Sequence, residues 1–172
     1  AFGNITFVDS AAVKFHSSAG TNGDLYINAA TDGAVGGALN VTAKAGDITQ
    51  GHALTVTGTT TLETSADAAA INLNDTSNKF TSAVTITTND SDGSDSDATI
   101  SAGSLKKLIF AASTIDGDLI VTSSNATGIT QTGVLTVGGT SSFTTSADGA
   151  NIDLNSSSNV FTGAVSLSTT GS

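Results

Sequence analysis

The chain contains no cysteine, proline, methionine, tryptophan or arginine, and tyrosine occurs once in its 172 residues. Without cysteine there is neither a disulfide framework nor a thiolate metal site, so stability must come from burial and backbone hydrogen bonding. Without tryptophan, and with only 5% aromatic residues, the core must be assembled from Val, Ile, Leu, Ala and Thr, small side chains that suit narrow stacked strands. Charge is also scarce at 12%, about half the usual share. What charge there is falls on one side: fifteen acidic residues face five lysines, for a net −10. A phosphate backbone would be repelled, which argues against nucleic acid as a partner. No 18-residue apolar run suggests membrane insertion, and no leader is visible ahead of Ala1, so the chain reads as mature or excerpted protein.

What is present is repetition. The stretch beginning ITQGHALTVTGTTTLETSADAAAINLND at Ile48 returns as ITQTGVLTVGGTSSFTTSADGANIDLNS at Ile129, an offset of 129 − 48 = 81 residues without a gap. Leu54 pairs with Leu135, Asp67 with Asp148, Ile71 with Ile152, Asn78 with Asn159 and Phe80 with Phe161. Phe2 stands where Phe80 and Phe161 open later units, so the expected division is 2–79, 80–160 and the start of a third unit at 161–172.

Within each unit apolar residues alternate over short runs such as Leu39-Asn40-Val41, Leu54-Thr55-Val56, Ile71-Asn72-Leu73 and Val84-Thr85-Ile86. A period of two means strands with one face inward. Turn clusters such as Thr31-Asp32-Gly33, Ala45-Gly46-Asp47 and Asp75-Thr76-Ser77-Asn78 separate them. Two all-β architectures accommodate this pattern: tandem β-sandwich domains, or a parallel β-helix (β-solenoid) of about 20 residues per coil, four coils to a unit and about eight in all. The lack of proline, the few rings and the gap-free junction favour the solenoid, and the general handedness of parallel crossovers makes it right-handed.

The runs ITQ-x-G-x-LTV-x-GT, ADGANIDLN and N-x-FTGAVSLS resemble the repeats of giant filamentous-haemagglutinin-type exoproteins over most of the chain. That resemblance implies a thin rod exported to or beyond a bacterial surface, with adhesion, matrix building or spacing as its role.

The residues that could carry chemistry are few. Asp67, Asp75, Asp148 and Asp153 are the carboxylates from which a cleaving pair could be drawn, but Asp67 and Asp148 recur beside Ser-Ala as a turn or cap would. His16 and His52 are isolated, and Gly133 stands where the second unit would repeat His52, so both read as exposed bystanders. Lys106-Lys107 reads as a solvated edge able to meet an acidic neighbour. The acidic run Asn89 to Asp97 places Asp90, Asp92, Asp95 and Asp97 close together around Gly93, a calcium-binding candidate beside the plainer reading of a polar loop. Asn-x-Ser/Thr triplets at Asn4, Asn40, Asn74, Asn89, Asn125 and Asn155 would accept glycans in a suitable host.

The expectation is therefore a non-enzymatic, extracellular structural or adhesive rod without an organic cofactor. Its partners would be itself, as a homopolymer or as neighbouring repeats of the same chain, and host-cell or matrix glycans. A carbohydrate-binding or carbohydrate-cleaving β-helix is the alternative, although a single tyrosine supplies little for sugar stacking. Thr-x-Thr steps such as Thr85-Ile86-Thr87 raise an ice-binding solenoid as a third reading, weakened by the lapse of the pattern at Leu25 to Ile27 and at Leu119 to Val121.

Overall fold

A computed structural model describes residues 3–16, 24–26, 34–89 and 94–170. Of the turn clusters, Thr31-Asp32-Gly33 lies outside the described residues, as do Asp90, Asp92 and the side chain of His16. The described residues form twenty-one short strands. They run β1 (Ile5–Asp9), β2 (Val13–His16), β3 (Asp24–Tyr26), β4 (Ala34–Val35), β5 (Leu39–Ala43), β6 (Ile48–Gln50) and β7 (Thr55–Val56). Next come β8 (Thr60–Thr64), β9 (Ile71–Leu73), β10 (Lys79–Phe80), β11 (Val84–Thr87), β12 (Ala98–Ala102), β13 (Leu108–Phe110) and β14 (Ser113–Ile115). The last are β15 (Leu119–Ser123), β16 (Ile129–Gln131), β17 (Leu135–Val137), β18 (Ser141–Thr145), β19 (Ile152–Asp153), β20 (Val160–Phe161) and β21 (Val165–Thr169).

Apart from β3, which pairs with β2, each strand pairs in parallel with a strand about a coil away in sequence, so the chain winds as a β-solenoid with three faces. The first face stacks β1, β5, β8 and β11, and then β14, β17 and β20. The second stacks β3, β2, β6, β9, β12, β15, β18 and β21. The third stacks β4, β7 and β10, and later β13, β16 and β19. Backbone bonds from Gly103 N–H to Asn78 O and from Ala111 N–H to Val84 O, both 2.8 Å, lay residues 103–111 on residues 78–84 and join the two parts of the third face. β13 reaches past the corner, pairing Phe110 with Val84. The parallel ladder rules out tandem β-sandwiches, which are built from antiparallel sheets.

The coils are longer than the 20 residues expected. On the second face Ile48, Ile71, Ala98, Leu119, Ser141 and Val165 succeed one another at steps of 23, 27, 21, 22 and 24 residues, about five turns roughly 24 residues apart. Three strands of two to five residues need only part of that length, and the corners take the rest. The longest step contains residues 88–97, between β11 and β12.

Alternation places the core as the pattern requires. β5 and β18 alternate buried and half-buried positions along their whole length. Leu39, Val41, Ile48, Leu62, Ile71, Leu73, Ile86, Ile100, Val121 and Ile129 are sealed inside, with Phe15, Phe80, Phe110 and Phe143 as the bulkiest members. Several inward positions are polar, and among them Thr60, between Leu39 and Val84 in the ladder, is fully buried and its hydroxyl has no partner. Replacing it with the isosteric valine removes an unpartnered hydroxyl and is expected to raise stability by about 1 kcal/mol, read as a higher urea midpoint.

The 81-residue repeat does not span a whole number of turns. Three turns carry the chain from β6 on the second face to β15, and ten further residues bring it to β16 on the third face, the counterpart of β6. The other pairs obey the same rule: β8 on the first face answers to β18 on the second, β9 to β19 on the third, and β11 to β21 on the second. Each unit therefore advances three and one-third turns, and equivalent surfaces step round the rod by one face.

Candidate functional site

Four polar side chains, Asp47, Asp97, Asp118 and Asn4, hold one coil to the next. Asp47, Asp97 and Asp118 each stand just before a strand of the second face. Their Oδ1 atoms accept the N–H groups of Ala70 (2.9 Å), Asp118 (2.7 Å) and Thr140 (2.6 Å), one coil further on. Asn4 does the same on the first face for Ala38 N–H at 2.8 Å. The capped residue is preceded by glycine in three of these four cases, Gly37, Gly117 and Gly139. The reason is steric: a Cβ on Gly139 would lie 2.4 Å from Asp118 Oδ1.

The same arrangement gives Asp97 a structural role. Its carboxylate closes a corner, while Asp95 is exposed, and among the described residues no three His, Asp or Glu side chains gather as metal ligands. The base of the acidic loop is pinned from inside: Thr88 Oγ1 donates to Ser96 O and accepts Asp116 N–H, both at 2.9 Å, and Ser96 N–H reaches Asp116 Oδ2 at 3.3 Å. Asp97→Asn keeps the accepting oxygen and is expected to leave the urea midpoint unchanged, whereas Asp97→Ala is expected to cost about 1 kcal/mol.

The four candidate carboxylates of a cleaving pair lie in turns and on one strand. Asp67 is exposed in the corner after β8, where Ala68 takes a left-handed φ of 55° and Ala69 N–H bonds Ala66 O. Its counterpart Asp148 lies in the same turn after β18, with Gly149 at φ 67°. Asp75 accepts Ser77 N–H at 2.8 Å and so shapes its own turn. Asp75 and Asp148 occupy the same edge of the rod, but three turns apart, roughly 14 Å at the spacing of stacked strands. The two carboxyls of a glycosidase stand about 5–9.5 Å apart. Asp153 is exposed on the third face.

His52 differs from the expectation of an exposed bystander: it is half-buried in the turn between β6 and β7, and both ring nitrogens are closed off without a hydrogen-bond partner. Lys106 and Lys107 lie in the turn before β13 beside Leu105, which is 71% exposed, as a solvated edge requires. A surface hollow between neighbouring turns is lined by Thr76, Ser77, Asn78, Gly103, Ser104, Leu105 and Ser124, with no aromatic ring. Among the glycan triplets, Asn4 is committed to Ala38, and Asn125 is buried, with its amide on Ser104 O and its oxygen on Thr127 N–H.

Gln50 of the repeated ITQ run and Asn78 of the turn cluster form the most elaborate polar feature. Gln50 Nε2 donates to Asn78 Oδ1 and Asn78 Nδ2 donates to Gln50 Oε1, both at 2.9 Å. The second unit rebuilds the clasp between Gln131 and Asn159 at 2.9 and 2.7 Å. Each glutamine also donates to the carbonyl two residues on, His52 O or Gly133 O, at 2.6 Å. The repeated ITQ run was the available signal.

Among the described residues, no helix is long and apolar enough to cross a membrane. No curated protein and no solved structure matches the chain. Residues 3–87 and 95–168 match a family described as repeats of unknown function, DUF5649. The two matched stretches take in most of both halves of the solenoid, and the chain belongs to the DUF5649 repeat family.

Proposed function

We propose that the protein is a passive mechanical element, a length of β-solenoid rod in an extracellular bacterial surface filament or giant adhesin. The observation that carries this reading is the unbroken parallel ladder of the second face, from β3 through β21, which crosses the junction between units without a linker. Load along such a rod is borne by backbone hydrogen bonds in every coil, and repeats in such a stack contact only their neighbours. The carboxylates fit the same role, since Asp47, Asp97 and Asp118 are spent on corners and not gathered in a cleft. Its partners in this reading are repeats of its own kind, with host-cell or matrix glycans along its sides. The acidic loop from Asn89 to Asp97 is where an extracellular rod would take calcium. A calcium titration that leaves the melting temperature unchanged removes that site.

Electron cryo-microscopy of the native material tests the reading: a thin fibre with an axial repeat of about 4.8 Å is expected. Compact beads on flexible joints would overturn it. Release of reducing ends from a panel of polysaccharides would replace the passive rod with a cleaving β-helix.

A further inference from the structure

The two ends of the solenoid differ. At the start, the step from β1 to β5 is 34 residues and that from β2 to β6 is 35, about a dozen more than the steps that follow. Part of the excess is β3, which pairs with the outer edge of β2 and so occupies the edge that the second face would offer a neighbour. At the other end β19, β20 and β21 each close their stacks with nothing paired beyond them among the described residues.

The last coil is a copy of one that is covered. Ile71, Leu73, Phe80, Val84 and Ile86 are sealed inside, and their counterparts at the offset of 81 are Ile152, Leu154, Phe161, Val165 and Leu167. Val165 is 45% exposed and Leu167 59%, while Ile152, Leu154 and Phe161 are only partly buried. What covers the first set is the coil of residues 94–115, with Ala98 on Ile71, Phe110 on Val84 and Thr114 on Thr87. A polar group marks the same gap. Asn78 Nδ2 donates to Gln50 Oε1, Leu73 O and, at 3.1 Å, Ser101 O of that covering coil. Asn159 Nδ2 donates to Gln131 Oε1 and Leu154 O, and among the described residues no carbonyl stands where Ser101 O shares the amide of Asn78.

We infer that the C-terminal coil is a docking face for one kind of partner, a solenoid coil carrying the pattern of residues 94–115, supplied by a further unit of the same repeat family. A second copy presenting its N-terminal end fits poorly, because β3 stands in the way and β1 does not carry that pattern. The joint follows the one-face rotation: the strand equivalent to β12 settles on β19 of the third face, and the strand equivalent to β14 on β21 of the second. The carbonyl equivalent to Ser101 O then shares the two N–H groups of Asn159 with Gln131 Oε1 and Leu154 O, as Ser101 O does at Asn78.

This inference rests on the rod reading and names its partner. The test extends the full chain in register, by appending a copy of residues 92–128 after Ser172, since 172 − 81 = 91. The control carries the same residues with the halves 92–110 and 111–128 exchanged. Hydrogen exchange across residues 152–169 is expected to slow at least tenfold in the in-register chain and not in the control. Leu167→Asp should abolish that protection while leaving the melting temperature of the unextended chain unchanged. Equal protection by the control, or protection of the unextended chain by self-association at high concentration, would overturn the inference, as would no protection at all. In that last case a rod-shaped scattering profile leaves the rod reading standing, whereas a profile of beads removes that reading instead.

Discussion

Gly128→Ala is expected to cost about 3–5 kcal/mol, enough to unfold a marginal domain. Two effects add. Gly128 holds φ at +77°, a conformation that costs an L-residue roughly 1–2 kcal/mol. A Cβ there would also fall 1.8 Å from Asn151 O and 2.8 Å from Asn151 N, which are backbone atoms of the next coil with no side-chain freedom to yield. Asn151 O is the acceptor of Ile129 N–H at 2.9 Å, and Gly128 O in turn accepts Leu108 N–H at 3.3 Å. Making room therefore parts three successive coils at one corner. Gly149→Ala is the control: φ is +67°, but nothing lies within 4 Å of the added carbon, and Ala68 already occupies the equivalent place. That variant is expected to lose only about 1 kcal/mol. Equal losses in urea denaturation would mean that close approach between coils contributes nothing at Gly128.

The contrast between these glycines bears on what could be read before the fold was seen. Period-two alternation in Leu39-Asn40-Val41 or Ile71-Asn72-Leu73 announces strands, and the gap-free offset of 81 announces a stack; both survive because inward positions tolerate only apolar or small residues. Coil length, about 24 residues against the 20 expected, is set by corners whose side chains bond to coils some twenty residues away, as Asp97 does to Asp118. The same cause hid the rotation of the repeat: three and one-third turns follow from steps of 23, 27 and 21 residues, and the step of 27 contains the acidic loop. Alternation shows which residues point inward but not which of three faces they belong to. The corner role of the carboxylates was illegible for a related reason, since a cap and a metal ligand use the same oxygen.

The rotation shapes what a longer rod would show to its surroundings. If units of this length follow one another, a given surface recurs on the same face only after three units, 3 × 81 = 243 residues and ten turns, about 48 Å along the axis. Corner ladders, hydroxyl-rich strand faces and any adhesive patch are then distributed all round the rod. No single side of the proposed rod would then carry them all.

Asn78→Leu is expected to destabilise the protein by about 3–5 kcal/mol, because a side chain of similar size cannot replace an amide whose oxygen accepts two hydrogen bonds and whose two N–H groups are shared among three acceptors. Asn78 is 1% exposed; its Oδ1 accepts Leu54 N–H at 2.7 Å and Gln50 Nε2–H, and its Nδ2 serves Gln50 Oε1, Leu73 O and Ser101 O. Leucine would leave a buried backbone N–H, two carbonyls and the amide of Gln50 without this partner, and each such group costs about 1–3 kcal/mol when stranded. Asn159→Leu removes the equivalent clasp, where Leu135 N–H meets Oδ1 at 3.0 Å, but that residue is only half-buried and water can reach the groups left behind. Its loss should be about half as large. Combining Gln50→Leu with Asn78→Leu should cost clearly less than the two single losses summed, since the amides face each other and both vanish together. Strict additivity in urea melts would show that the clasp is not a unit. Equal losses at Asn78 and Asn159 would show that the covering coil contributes nothing to it.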